Sequence, residues 1–225
     1  MTLRHDPIPY EEWVLGVFGQ PEEHEFFDAW REEWDGRIDG ALIAGFLARL
    51  FRDPSPLDAY TNVQIGRGLW ALAGEEGLGC LRFEKVPDAQ REDTVDAVRD
   101  LYLRILEPRC DPLPSAGKSS SSEINGAAYM LWDIAPFCPG ISWVFPEEQG
   151  LRELDLRLTR LLAELLQVVE NPASQESILH GFGHAVCLVK DRRDIQAAID
   201  AFLGRPSLRP DIQTYARNAR SGNVL

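Results

Sequence analysis

No run of about 18 apolar residues occurs anywhere in the chain, so a transmembrane helix is not expected. The opening residues Met1-Thr2-Leu3-Arg4-His5-Asp6 also lack the apolar stretch of a secretory signal, and the expectation is a soluble, cytoplasmic protein. Cysteine is sparse and scattered: Cys80, Cys110, Cys138 and Cys187 lie 30, 28 and 49 residues apart, with no Cys-x-x-Cys pair. That spacing argues for reduced, mostly buried thiols. Basic side chains fall short as well, 23 Lys and Arg against 36 Asp and Glu, for a net charge of −13. Nucleic-acid binders carry basic patches that displace counterions from phosphates, so direct nucleic-acid binding is not expected, and anionic membrane surfaces are disfavoured for the same reason. A nucleophile elbow, a glycine-rich dinucleotide loop and a paired-carboxylate motif are all missing, so neither catalysis nor a bound cofactor is expected.

What is present is helical periodicity. Alternating patterns long enough for strands are hard to find, whereas apolar residues recur every three or four positions almost throughout. About ten helices are predicted. Phe26, Phe27, Trp30 and Trp34 make one stripe; Leu42, Ile43, Phe46, Leu47, Leu50 and Phe51 make the next, capped by Asp39. Ser55-Pro56 reads as the opening of a helix carrying Leu57, Tyr60, Leu69 and Trp70, and Pro87 opens another that ends near Pro108. Leu151, Leu154, Leu158, Leu161, Leu162, Leu165 and Val169 mark the longest helix, and Asn171-Pro172 starts the one after it. Between them, residues 111–122 (Asp-Pro-Leu-Pro-Ser-Ala-Gly-Lys and four serines) hold too little apolar surface for a fixed shape and are expected to form an exposed flexible loop. The whole, 1–225, is read as one all-α domain, an α-solenoid-like array or irregular bundle, although no clean repeat period is visible.

Three short motifs carry a resemblance. Tyr60-x3-Gln64-x3-Gly68-Leu69-Trp70, the run from Gln175 to His184 (Gln-Glu-Ser-Ile-Leu-His-Gly-Phe-Gly-His) and Tyr215-Ala216-x2-Ala219 resemble a group of uncharacterised bacterial proteins with HEAT- or armadillo-like architecture. The resemblance spans roughly residues 40 to 225 and implies a fold of stacked helical pairs. It implies no activity.

Two features bear on function. His180 and His184 stand one helical turn apart, the spacing by which two imidazoles can share a metal, and Glu176 and Cys187 extend their row. A row from Glu176 to Cys187 runs roughly 16 Å along the axis at about 1.5 Å per residue, so at most two neighbours could ligate one ion. The alternative is that the histidines pack between helices and bond to backbone ends or carboxylates, while Gly181 and Gly183 admit a neighbouring helix. No metal is the primary expectation; Glu176, His180 and His184 are the runner-up set for a metal-dependent enzyme.

The other feature is acidic. Residues 1–35 hold ten carboxylates against Arg4 and Arg31, so −8 of the net charge sits there. Glu22, Glu25, Asp28, Glu32 and Asp35 flank or oppose the Phe26/Trp30/Trp34 stripe, and Trp13 nearby is a candidate aromatic anchor. Such a run is either an ordinary solvated face or a docking surface whose potential speeds association with a basic protein. The expectation is a non-enzymatic protein-binding module, by analogy an immunity or antidote protein occluding a basic, possibly secreted, bacterial toxin domain; a helical scaffold for an endogenous protein is the alternative.

Overall fold

The computed structural model describes residues 6–22, 34, 37–74, 77–83, 85–113 and 122–224, and among these the chain is all-helical. Helix α1 (Tyr10–Phe18) buries Tyr10, Trp13, Val14, Val17 and Phe18, a stripe at spacings of three and four. Helix α2 (Gly40–Arg52) starts where expected, with the Asp39 carboxylate accepting from the Leu42 amide at 2.8 Å. The helix expected from Ser55 to Trp70 is instead two pieces, a 3-10 turn over Ser55–Ala59 and then α3 (Asn62–Ala73). The break falls at Thr61, which builds a capping box with Gln64: the Gln64 amide bonds the Thr61 hydroxyl, and the Thr61 amide bonds the Gln64 side chain. That reciprocal pair starts a helix more strongly than Pro56 can.

The short α4 (Cys80–Phe83) precedes α5 (Asp88–Asp100), which opens after Pro87 and runs on through a π-helical turn, Leu101–Leu106, to a last turn at Glu107–Arg109. There follow α6 (Glu123–Ile134), the single turn α7 (Ile141–Val144), the long α8 (Leu151–Val168), α9 (Pro172–Leu188), α10 (Arg193–Leu203) and α11 (Pro210–Arg220). Asn171 caps α9 as predicted, accepting from the Ala173 amide at 3.0 Å. Most of the expected loop over 111–122 lies outside the described residues.

The helices stack in two rows. In one, α2 packs on α5, α5 on α8 and α8 on α10; in the other, α1 packs on α3, α3 on α6, α6 on α9 and α9 on α11. Each step along a row skips one or two elements of the chain, an arrangement consistent with a bundle or a solenoid-like array of helices. The members of the first row start at Gly40, Asp88, Leu151 and Arg193, at unequal intervals, and no fixed period exists in the sequence for that reason.

Helix α9 sits where the rows meet, touching α6, α8, α10, α11 and the π turn. Fourteen of its 17 residues are buried, so it has no polar face to give to water. Apart from the Ser174 hydroxyl, which is buried without a hydrogen-bond partner, polar side chains at its centre are bonded instead. The Ser177 hydroxyl donates to the Ala128 carbonyl and meets the Tyr102 hydroxyl at 2.8 Å, and the Trp132 indole donates to that same hydroxyl at 2.7 Å. Tyr102 belongs to the π turn, and burial raises its hydroxyl's pKa above the ordinary phenol value. None of the four cysteines is in a disulfide; Cys80 and Cys110 are buried, and burial pushes the Cys110 and Cys138 thiols up to about 12. No helix among the described residues is long and apolar enough to cross a membrane.

Candidate metal centre

Stacking within the second row brings three side chains capable of ligation together at the joint between α6 and α9. Helix α9 supplies His180 and His184 from successive turns, and the end of α6 supplies Asp133. Close approach of the two helices depends on Gly181: a Cβ there would stand 2.8 Å from the Trp132 Cβ and 2.9 Å from its ring. With that space left open, Trp132 packs against Gly181 and Asp133, its neighbour, reaches the histidines.

The Nε2 atoms of His180 and His184 stand 3.2 Å apart, and the Asp133 Oδ1 is 3.4 Å from the His184 Nε2. All three ligating atoms lie within 4.8 Å of one another. Bonds of about 2.0 to 2.1 Å to a tetrahedral ion place adjacent ligands about 3.3 Å apart, so both measured edges suit one ion between the three groups. Two imidazole nitrogens and a carboxylate suit zinc and its first-row neighbours better than magnesium or calcium, which take oxygen. The site is graded in exposure. His180 is buried, while the side chains of His184 and Asp133 are 29% and 37% exposed, so an ion held there would be within reach of solvent.

His180 is held in its neutral form. Burial, reinforced by His184 and opposed by Asp133, pushes its pKa down to about 4, and an imidazole must be neutral to ligate. Its second ring nitrogen, Nδ1, is 2.7 Å from the Tyr215 hydroxyl on α11, and the Tyr129 ring from α6 lies over it with centroids 4.1 Å apart. Tyr215 in turn donates to the Tyr129 hydroxyl at 3.3 Å. These contacts supply the outer partner that fixes a ligating histidine's orientation.

Of the row anticipated on α9, the structure brings His180 and His184 together and separates the rest. Glu176 is buried one turn deeper and is not part of the ligating group; Cys187 donates through its thiol to the Gly222 carbonyl at 3.4 Å. Asp133 was not anticipated, because it comes from a helix whose pairing with α9 no local pattern announces. Its signal was its place beside Trp132 at the end of an apolar stripe. Gly183 does admit a neighbour, though the neighbour is Val224 in the segment after α11 and not a helix.

The acidic segment fares differently. Trp13 is a correction: it is 1% exposed, packed on Phe46 with ring centroids 5.4 Å apart and stacked on Tyr10, so it is a core residue and no anchor. The reason is that it lies on the only apolar stripe α1 has. Glu22 is exposed, and its carboxylate accepts from the Thr61 hydroxyl at 2.6 Å. Glu25, Asp28, Glu32 and Asp35 lie outside the described residues. Two other carboxylates of the segment are paired, Glu11 with Arg49 at 3.2 Å and Glu12 with Arg37 at 3.0 Å. Comparison of the chain with protein-family models, with curated proteins and with solved structures found no match.

Proposed function

We propose that the chain is a helical binding module built around a divalent transition-metal site at Asp133, His180 and His184. The supporting observation is the pair of ligand-to-ligand edges, 3.2 and 3.4 Å, in a cluster whose buried member is held neutral. An ion there joins α6 to α9 across the seam of one row and keeps at least one position open to water or to a partner's donor. Such an ion serves the scaffold, and no reaction is asked of it. The test is metal analysis of protein purified without an affinity tag, followed by calorimetric titration of the chelator-treated chain with Zn²⁺. One ion per chain, weakened by His184→Ala and by Asp133→Asn, is expected; no stoichiometric uptake overturns the proposal.

A second, compatible reading concerns the partner. Twelve arginines among the described residues form ion pairs with the chain's own carboxylates, Arg52 with Asp93 and Arg220 with Asp200 among them. Cations so engaged offer little to an anionic partner, and the net charge of −13 favours a cationic one. A non-enzymatic antidote of a basic bacterial toxin fits that chemistry. Binding weakened by salt, and by Glu25→Lys combined with Glu32→Lys, supports this reading; binding to a basic partner that ignores both counts against it.

A further inference from the structure

The hydrogen bonds behind His180 form a chain whose direction is fixed at its far end. The Val224 carbonyl can only accept, so the Tyr129 hydroxyl, 3.4 Å away, donates to it. Each hydroxyl has one proton, so the Tyr129 oxygen receives the Tyr215 proton, and the Tyr215 oxygen must then accept from the His180 Nδ1–H. The His180 proton therefore sits on Nδ1, and Nε2 presents its lone pair to His184 and Asp133.

The segment that ends this relay is docked on α9 between the two ligands. Gly183 separates His180 from His184 along the helix, and a Cβ on it would strike the Val224 side chain, which is 3% exposed. Gly222 has φ of 76°, turning the chain back after α11, and a Cβ there would stand 2.6 Å from the Cys187 Sγ, whose thiol bonds the Gly222 carbonyl.

We propose that residues 221–224, through Tyr129 and Tyr215, hold His180 in the tautomer that ligates, so that docking of this segment governs metal affinity. The affinity part rests on the metal reading above; the tautomer part stands without it. His184 has no such fixed partner. In the metal-free chain its Nε2–H points at the bare Nε2 of His180, and ligation would require that proton to be exchanged, through solvent, for one on Nδ1. One ligand is thus preset and the other adjusts.

The experiment is nitrogen-15 NMR of histidine-labelled, metal-free wild type, Tyr215→Phe, Tyr129→Phe and Gly183→Ala, each then titrated with Zn²⁺. The wild type is expected to show His180 as the single Nδ1–H tautomer. Tyr215→Phe is expected to give a mixture of tautomers and a roughly 10- to 100-fold weaker Zn²⁺ affinity. Tyr129→Phe and Gly183→Ala, neither of which alters a ligand, are expected to move both readouts in the same direction. A wild-type His180 protonated on Nε2, or a tautomer and affinity unchanged in Tyr215→Phe, overturns the proposal. A wild type that takes up no zinc overturns the metal reading and the affinity part, while the tautomer measurement still decides the relay.

Discussion

Trp132 lies across Gly181 with so little clearance that a methyl group on the glycine would come within 2.9 Å of the indole. Alanine at this position would gain about 0.5 to 1 kcal/mol of helix preference but overpack the joint at a cost of about 1 to 3 kcal/mol. Gly181→Ala is therefore expected to be net destabilising by about 1 kcal/mol in urea unfolding, and to weaken Zn²⁺ binding by moving Asp133 away from the histidines. A stabilised variant with unchanged metal affinity would show that Trp132 yields freely and does not set the spacing.

Zn²⁺ is expected to raise the thermal midpoint of the wild type. An ion at about 100 times its Kd stabilises by about 2.7 kcal/mol if it ignores the unfolded chain. His184→Ala, altered at a half-exposed position, is expected to fold and to lose that rise. Scanning calorimetry with and without the ion reads both.

The metal-free protein should lose stability on mild acidification. Because burial lowers the His180 pKa from 6.5 to about 4, its neutral form is favoured in the folded state, and that contribution is complete above the unfolded value and lost as pH falls from about 6.5 to about 4. The groups facing it are Tyr129 and Asp133 on α6, His184 on α9 and Tyr215 on α11, and Asp133 opposes the shift. A depression of this size is worth on the order of 3 kcal/mol. Urea titrations at pH 7 and pH 4.5 should show a smaller loss in His180→Gln than in wild type; equal losses would remove His180 as the cause.

Trp13→Ala is expected to cost about 3 to 5 kcal/mol, the range for large aromatic side chains taken out of a core. An exposed anchor would leave stability nearly untouched, so denaturation of this variant separates the two roles directly.

Much of the helical layout was legible because its signals are local. Asp39 and Asn171 cap as their residue types suggest, and the leucines from 151 to 165 mark α8 with little ambiguity. Where two local signals compete, the more visible is the weaker: Pro56 stands out in the sequence, yet the Thr61/Gln64 pair starts α3. The site was half legible. The His180 to His184 spacing is written along one helix, whereas Asp133, Tyr129, Tyr215 and Val224 come from other segments and meet only through helix stacking. Trp13 is buried and not presented, because nearness to acidic residues in the chain says nothing of which way a helix turns its aromatic stripe.

Trp132 also has a spectroscopic use. Its indole is 1% exposed and donates to the Tyr102 hydroxyl, so its emission should be blue-shifted and shielded from acrylamide, yet it is bonded directly to Asp133. A Cu²⁺ ion captured by the cluster would sit beside this fluorophore and dim it, giving the chain a built-in optical gauge of occupancy that needs no label.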